Sequence, residues 1–463
     1  MIVINEDWLS EDGTVSAKLL VRCIELHMLS TSRLKKLKAY YDGEHDIKKR
    51  EMTTGLPNNK LVCNHAQYIS DMTVGYVFGA PVQYSNADVL MDRFTVIDED
   101  SHNNELANDI SVFGHGLELV YMSDEEGTDI KLASLDPLSN FVVCDDTVEH
   151  NPLFAVGYDQ IYDIDGNITG WKVTVIDKQF KYYYEGDALT ADKLLLSDDI
   201  QEHFFVDVPV IEYDNNKAAS GDFEVVLSLI DAYNVLQSDR VNDKEQLVDA
   251  FLAITGMRFG DTEEEAVKTT KKLREMKILE LDEGGKAEWL VKNLNETEIE
   301  VLKKSLKDDI HEFSKVPCLT DENFVGNASG VAMKYKLLGF ELLGKTKERY
   351  FKKGLRKRLE LINAVYSVKN KSFDLGEVDI TMKRSLPVDE QTLAQIAQAT
   401  DGFISWETRL QAFNPELDVE EERKRLLEEK TEAAKVQQKA FGSYGFDGSD
   451  DQLDKEDETD GED

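Results

Sequence analysis

Asn58-Asn59-Lys60-Leu61-Val62-Cys63-Asn64, running on to Val74-Gly75-Tyr76-Val77-Phe78-Gly79-Ala80-Pro81-Val82, is the stretch on which the reading of this chain turns. A polar turn opens it, and an apolar run at helical spacing follows from Asn64 to about Val77. Gly79-Ala80-Pro81 closes it, because proline disfavours helix in the residue before it. The segment holds no group suited to catalysis. Its residues are those of packing and chain direction.

Helical patterns flank it on both sides. Upstream, Leu19, Cys23, Leu26, Leu34, Leu37 and Tyr41 recur at helical intervals over residues 15–41, with Gly43 as the stop. Downstream, a helix is predicted near Glu105–Phe113, broken at Gly114-His115-Gly116. The period then changes. Leu117–Tyr121, Phe141–Val143, Leu153–Tyr158, Trp171–Ile176 and Lys181–Tyr184 read as short strands of a β-rich subdomain reaching Tyr213.

Helix returns at Asp222, with Phe223, Val226, Leu227, Ile230, Tyr233 and Leu236 at intervals of three and four, continuing weakly to Phe251. A small α+β module follows: Gly256–Gly260, a charged helix over 262–276, strand-like Lys277–Leu281, then Gly284-Gly285. Helical pattern resumes at Glu296 with Ile299, Leu302, Leu306, Ile310 and Phe313, and stops at Pro317. Another long helix reaches Val368, Asp379–Met382 is a lone strand candidate, and polar helices fill 389–440. The Gly/Ser/Asp/Glu-rich tail from Gly442 has the composition of a disordered segment. The fold class is therefore α+β, predominantly helical.

The chain has 463 residues, enough for a substantial core and two to four domains. Its 53 Lys+Arg against 91 Asp+Glu give a formal net charge of -38, which argues against clinging to a nucleic-acid backbone. No apolar run is long enough to span a bilayer, and Met1–Asp7 lacks the basic and apolar regions of a signal peptide. A soluble intracellular protein without membrane contact is expected. Cys23, Cys63, Cys144 and Cys318 lie far apart with no zinc spacing, so they read as reduced, mostly buried thiols.

Three motifs invite chemistry, and none carries it. Gly339-Phe340-Glu341-Leu342-Leu343-Gly344-Lys345-Thr346 satisfies GxxxxGK[ST], but a phosphate loop follows a buried strand, whereas Val331–Leu338 reads as helix. Asp163-Ile164-Asp165-Gly166-Asn167 resembles a calcium-loop start, yet its Gly stands fourth and Val173 occupies the place of the required Glu. A hairpin turn is the better reading. Lys345, Lys347, Arg349, Lys352, Lys353, Arg356, Lys357 and Arg358 form a basic block. It would serve as a phosphate contact or, the reading preferred in so acidic a chain, as a solvated face or a surface pairing with an acidic neighbouring subunit. No HExxH or GxSxG is present; neither catalytic residues nor cofactors nor metals are expected.

Several strings, in order along residues 15–430, resemble the portal proteins of long-tailed double-stranded-DNA bacteriophages of Gram-positive hosts. They are Tyr40-Tyr41-Asp42-Gly43-Glu44-His45-Asp46-Ile47, the opening stretch, Asn323–Tyr335, and Leu386-Pro387 before the last helices. The resemblance implies a non-enzymatic, ring-shaped channel of about twelve copies at a capsid vertex, through which DNA is packaged and ejected. It implies a wing (1–221), a stem helix (222–255), a clip (256–295), a second stem helix (296–316) and a tunnel loop (317–330). A long helix with a return strand (331–387), a crown (388–440) and the acidic tail (441–463) complete it.

The implied channel-lining residues are Asp321, Glu322, Asn323, Phe324, Val325, Gly326, Asn327, Ala328, Ser329 and Gly330. Arg258, Lys268, Lys271, Lys272 and Arg274 are the implied clip contacts for the packaging motor. Implied partners are the terminase large subunit, a head-completion adaptor, capsid and scaffolding proteins, and double-stranded DNA in transit. The competing expectations are a packaging ATPase resting on Gly339–Thr346, or another structural virion protein such as an adaptor or capsid protein.

Overall fold

The computed structural model describes residues 2–10, 14–52, 57–123, 129–248, 251–255, 262–265, 267–268, 271, 285–290, 296–319, 335–369, 371–385, 398–400, 402–413 and 419–442. The chain forms two compact units, Met1–Ser385 and Leu386–Asp463. The first opens with strand β1 (Ile2–Ile4) and helices α1 (Ala17–Tyr41) and α2 (His65–Phe78). Strand β2 (Gln83–Ser85) and helices α3 (Asp88–Val96) and α4 (Glu99–Phe113) come next. A run of strands follows: β3 (His115–Met122), β4 (Ile130–Leu135), β5 (Asn140–Asp145), β6 (Pro152–Tyr162), β7 (Ile168–Ile176), β8 (Phe180–Gly186), β9 (Leu195–Glu202) and β10 (Val210–Asp214).

Helix α5 (Leu227–Val248) leads into β11 (Phe251–Thr255), and β12 (Lys286–Leu290) precedes α6 (Glu296–Ser314). Helix α7 (Leu338–Val368) and β13 (Asp379–Thr381) complete the described elements of this unit. In the second unit the described elements are α8 (Trp406–Phe413) and α9 (Val419–Gly442), linked by Arg423 and Glu407 at 3.6 Å.

The strands form a six-stranded sheet ordered β1-β5-β6-β7-β8-β9 and a three-stranded sheet ordered β10-β3-β4. Strand β1 runs parallel to β5, and the remaining ladders are antiparallel. Strand β5 explains why Phe141–Cys144 reads as an unbroken apolar run. Phe141 and Val143 pack toward Leu20, Cys23 and Ile24 of α1, while Val142 and Cys144 pack toward Leu117 and Val210 of the smaller sheet. Side chains alternate across a strand, so one covered on both faces must be apolar at every position.

The Tyr182-Tyr183-Tyr184 run divides in the same way. Tyr182 and Tyr184 are buried and grip the main chain of Val15 just before α1, whereas Tyr183 faces outward beneath Lys172 and Lys181.

The opening stretch becomes the middle of the larger core. Asn64 caps α2 by accepting the Gln67 N–H at 3.0 Å, and its amide donates to Tyr41 O at 2.9 Å, fastening the end of α1. Helix α2 buries Ala66, Ile69, Ser70, Thr73, Val74, Tyr76, Val77 and Phe78, so it is apolar nearly all round as core helices are. Tyr76 stacks on Phe340 with ring centroids 4.3 Å apart, and Phe78 meets Phe351 edge-on at 4.8 Å.

Several sequence expectations are corrected. Helix α4, expected near Glu105, begins six residues earlier at Glu99, after a turn in which Asp98 adopts φ 51°. The helix from Asp222 ends at Val248; Phe251–Thr255, expected within the first stem helix, is strand β11, paired with β12 from Phe251↔Leu290 to Thr255↔Lys286. Strands β1, β2, β4, β9, β10 and β12 and helix α3 were not anticipated. The lone strand β13 has a partner, β2. The strand expected at Lys277–Leu281 and the tail beyond Gly442 lie outside the described residues.

Gly339–Thr346 lies in helix α7, with Phe340 buried and Lys345 Nζ 4.0 Å from Glu341, so its amides are committed to helix and form no phosphate loop. Asp163–Asn167 is the β6–β7 hairpin turn, with Gly166 at φ 83°. None of the four cysteines forms a disulfide; Cys23 and Cys144 are buried, Cys63 and Cys318 half-buried. Among the described residues no helix is long and apolar enough to cross a membrane, and no three His, Cys, Asp or Glu side chains converge on a metal site.

Candidate functional site: an anchored helix pair

Helices α5 and α6 are joined by ion pairs, Arg240 to Glu300 at 2.6 Å and Lys244 to Glu296 at 3.2 Å. Of the apolar residues expected to form a buried stripe on α6, only Ile310 is fully covered. Leu302 and Phe313 stand 51% and 57% exposed, with Val301 at 65% beside them. The single chain leaves much of this helix uncovered.

At its other end the pair is fastened to the rest of the unit by a polar ladder. From Val226, just before α5, and Ile230 within it, the same spacing continues into Asn234, Ser238 and Asn242, all buried. These three accept successive alternate amides of the 57–64 segment. Asn242 Oδ1 takes the Asn59 N–H at 2.7 Å, Ser238 Oγ takes Leu61 N–H at 3.0 Å, and Asn234 Oδ1 takes Cys63 N–H at 2.8 Å. Four residues of helix and two residues of extended chain both advance about 6 Å, so the two registers match.

The other end of the Asn234 side chain donates to His45 Nδ1 at 2.8 Å, which fixes His45 Nε2–H on Tyr40 O at 2.9 Å. Arg50 to Asp239 at 2.6 Å and Tyr40 Oη–H to Asp231 at 2.6 Å extend the attachment. Replacing Asn234 by leucine should strand the Cys63 amide and cost about 1–3 kcal/mol. Hydrogen exchange is expected to quicken at Leu61 and Cys63 while the α2 interior stays protected; unchanged exchange there would remove the ladder's role.

The entry to α5 is bound by buried charge. Lys347 of α7 and Asp222 are both almost fully covered and meet at 2.7 Å. Ser111 donates to the same carboxylate at 2.6 Å and Asn215 at 2.9 Å, while Lys347 also donates to Asn215 Oδ1. Burial drags the Lys347 ammonium below the usual lysine range, and Asp222 opposes that without cancelling it. Arg33 forms a two-pronged pair with Glu224, both contacts at 2.6 Å. Gly114 is required beside this junction: at φ 88°, a Cβ there would lie 2.2 Å from the Ala219 carbonyl oxygen.

About three turns further along α7, Arg358 is wholly enclosed. Its Nη1 meets Glu99 at 2.6 Å, its Nη2 meets Glu118 at 2.6 Å and Asn103 at 2.8 Å, and its Nε meets Glu118 at 2.9 Å. Tyr84 donates to Glu99 at 2.6 Å, Tyr213 donates to Glu118 at 2.7 Å, and His102 Nε2 lies 2.7 Å from Glu118. Burial works to raise the Glu118 carboxyl, but Arg358 and then His102 outweigh it and hold it down at about 2. These contacts tie β2, α4, the smaller sheet and α7 into one block. The basic block is thus corrected: Lys347 and Arg358 face neither solvent, DNA nor a neighbour, because each neutralises acids of its own chain.

The geometry offers an anchored helix pair in which α6 is largely uncovered, with no reaction centre assembled among the described residues. Comparison with known proteins accords with it. The model of the family described as phage portal protein, SPP1 Gp6-like, matches residues 21–436. This chain belongs to the phage portal family. It is also 25% identical over 439 residues to the portal protein of Clostridium phage phiCD119, covering 86% of this chain and 93% of that one. Its function is that of a phage portal, a structural component of the virion.

Of the residues expected to matter in this portal chain, Lys268 and Lys271 are helical and exposed. Arg258, Lys272 and Arg274 lie outside the described residues, as do all ten of Asp321–Gly330. Of the fifteen expected site residues, only Lys268 and Lys271 thus fall within the described residues. Sequence reasoning missed the Asn234–Ser238–Asn242 ladder and the Arg358 and Lys347 pairs. A signal for the ladder was present: small polar residues at intervals of four, continuing an apolar stripe where charged residues would mark an exposed face.

Proposed function

We propose that copies of this portal chain close into a ring of about twelve around a channel for double-stranded DNA, by head-to-tail contacts of cyclic symmetry. Residues 1–221 and 331–387 serve as the wing, α5 and α6 as the stem crossing the capsid opening, and the module between them as the clip. The observation that carries this reading is the helix pair itself. Helices of 22 and 19 residues, about 30 Å each, flank a β11–β12 ladder and are rooted in the wing by ion pairs and the 57–64 strap. A wall-crossing hairpin needs that combination of length and rooted base.

The exposed apolar residues of α6 suit burial against neighbouring copies. The charge of -38 per copy suits a conduit that passes DNA without holding it. The terminase large subunit docks on the clip, with Lys268 and Lys271 among its contacts and Arg258, Lys272 and Arg274 nearby in sequence. A head-completion adaptor, capsid protein and scaffolding protein are the remaining partners. Residues 388–440 form the crown.

Residues 317–330 are the tunnel loop, and 323–330, rich in small residues, touch passing DNA without gripping it. Deleting 321–329 should leave rings visible in electron micrographs along their axis, while DNA packaging falls at least tenfold. Full packaging by the deleted ring would end the tunnel-loop assignment, and failure of the intact chain to form rings would end the channel reading.

A further inference from the structure

The six-stranded sheet carries two exposed apolar features at opposite ends. One is the β6–β7 turn, where Tyr162 is 58% exposed, Ile164 fully exposed and Ile168 55% exposed. This turn is internally bonded: Asp163 Oδ1 accepts the Asp165 N–H at 2.9 Å and the Asn167 N–H at 2.8 Å. An isoleucine at the apex of so well formed a turn gains nothing from water.

The other feature lies just beyond β9. Phe204 adopts φ 59°, a conformation that bulky side chains rarely accept, and its ring is 68% exposed. The bend is set by His203, whose Nε2 donates to Asp177 O at 2.9 Å while its Nδ1 accepts the Phe205 N–H at 3.2 Å. Backbone strain is thus maintained to hold an aromatic ring in solvent. Beside it, a groove of about 690 Å³ is lined by Phe204, Val365 and Val368, with Lys178, Lys369 and Glu202 supplying charge. Val368, at the end of α7, is 85% exposed.

Strand register puts these features a strand length apart. Tyr162 pairs with Ile168 at the start of β7, while Phe180 pairs with Glu202 beyond the end of β7. The nine residues of β7 span about 30 Å. A head-to-tail contact between identical copies requires two different, complementary patches on each copy. Here one is a projection with Asp163 and Asp165, and the other is a recess with Lys178 and Lys369. Both are apolar at the centre and opposite in predominant charge.

We propose that the β6–β7 turn of one copy seats in the Phe204–Val368 groove of the next, with Ile164 against the apolar lining and the turn's aspartates facing the two lysines. This rests on the ring reading above and adds to it a specific wing-to-wing contact.

The test uses the full chain carrying Ile164→Cys and Val368→Cys together, treated after assembly with a short bismaleimide and run on a denaturing gel. A ladder of covalent multimers is expected from the double variant, and no more than wild-type cross-linking from either single variant. In parallel, Phe204→Gly should raise the thermal midpoint by relieving the backbone, yet raise the concentration for half-assembly at least tenfold. Rings in micrographs without a ladder would overturn this contact and leave the ring reading standing. Absence of any oligomer would overturn both. Phe204→Gly assembling as wild type would also count against the groove.

Discussion

Replacing Arg358 by methionine should destabilise the first unit by about 3–5 kcal/mol, the range for removing one partner from a buried charge pair. Methionine keeps most of the volume, so the loss is electrostatic. Glu99 and Glu118 would face each other in the core with only Tyr84, Tyr213, Asn103 and His102 to hydrogen-bond them. Lysine should not rescue, because one ammonium cannot reproduce the fork that meets both carboxylates at once.

Adding Glu99→Gln and Glu118→Gln to Arg358→Met should recover much of the loss, since no uncompensated charge then remains. The pH dependence has a definite sign. Glu118 is held at about 2, against an ordinary value of 4.5. In the wild type it contributes stability that is present above pH 4.5 and lost as pH falls through about 2. Without Arg358, burial raises this carboxyl instead, so the gap between wild type and variant should narrow on acidification. Urea midpoints measured from pH 7 down to pH 4 would read this; a constant gap would show that lost packing, not charge, is responsible.

Legibility in the sequence followed the range of the interactions. Helix α2 was readable because its cap, its apolar run and its Gly/Pro exit lie within twenty residues, and local rules suffice for such a segment. Strands β5 and β6 were readable because burial on two faces leaves unbroken apolar runs, and β7 and β8 because buried Val173, Val175, Tyr182 and Tyr184 alternate with less buried residues. Strand β9 was not, since Leu195–Glu202 carries Ser197, Asp198 and Asp199 mid-strand and has mostly exposed side chains.

The site was less legible still. Arg358 and Lys347 look like surface residues in a window containing Lys345, Arg349, Lys352 and Arg356, because their acids stand more than a hundred residues upstream in α4, β3 and the entry to α5. The strap over α5 pairs residues about 170 to 185 positions apart, and nothing near Asn59 or Cys63 announces Asn242 or Asn234. Order of motifs identified the family, whereas packing of charge required the fold.

The second large effect is expected at Lys347. Its replacement by methionine leaves the Asp222 carboxylate buried with only Ser111 and Asn215, and should again cost about 3–5 kcal/mol. Because burial lowers the Lys347 pKa in spite of Asp222, the pair does not fully repay the desolvation of its own ammonium. The unfolded chain therefore binds more protons at alkaline pH than the folded one, so this group's penalty shrinks as pH rises through its folded value.

Lys347→Met combined with Asp222→Asn should consequently return to within about 1 kcal/mol of wild type, or exceed it, since the amide still bonds Ser111 and replacing a buried pair is often neutral or stabilising. If so, the pair is retained for geometry. It fixes α7 to the residue from which α5 departs, and hydrogen exchange should quicken over residues 224–230 in the double variant although its midpoint is unchanged. A double variant as unstable as Lys347→Met alone would mean that the pair holds the unit together by energy and not by direction. The rooting of the helix pair would then depend chiefly on the strap and on Arg33 with Glu224.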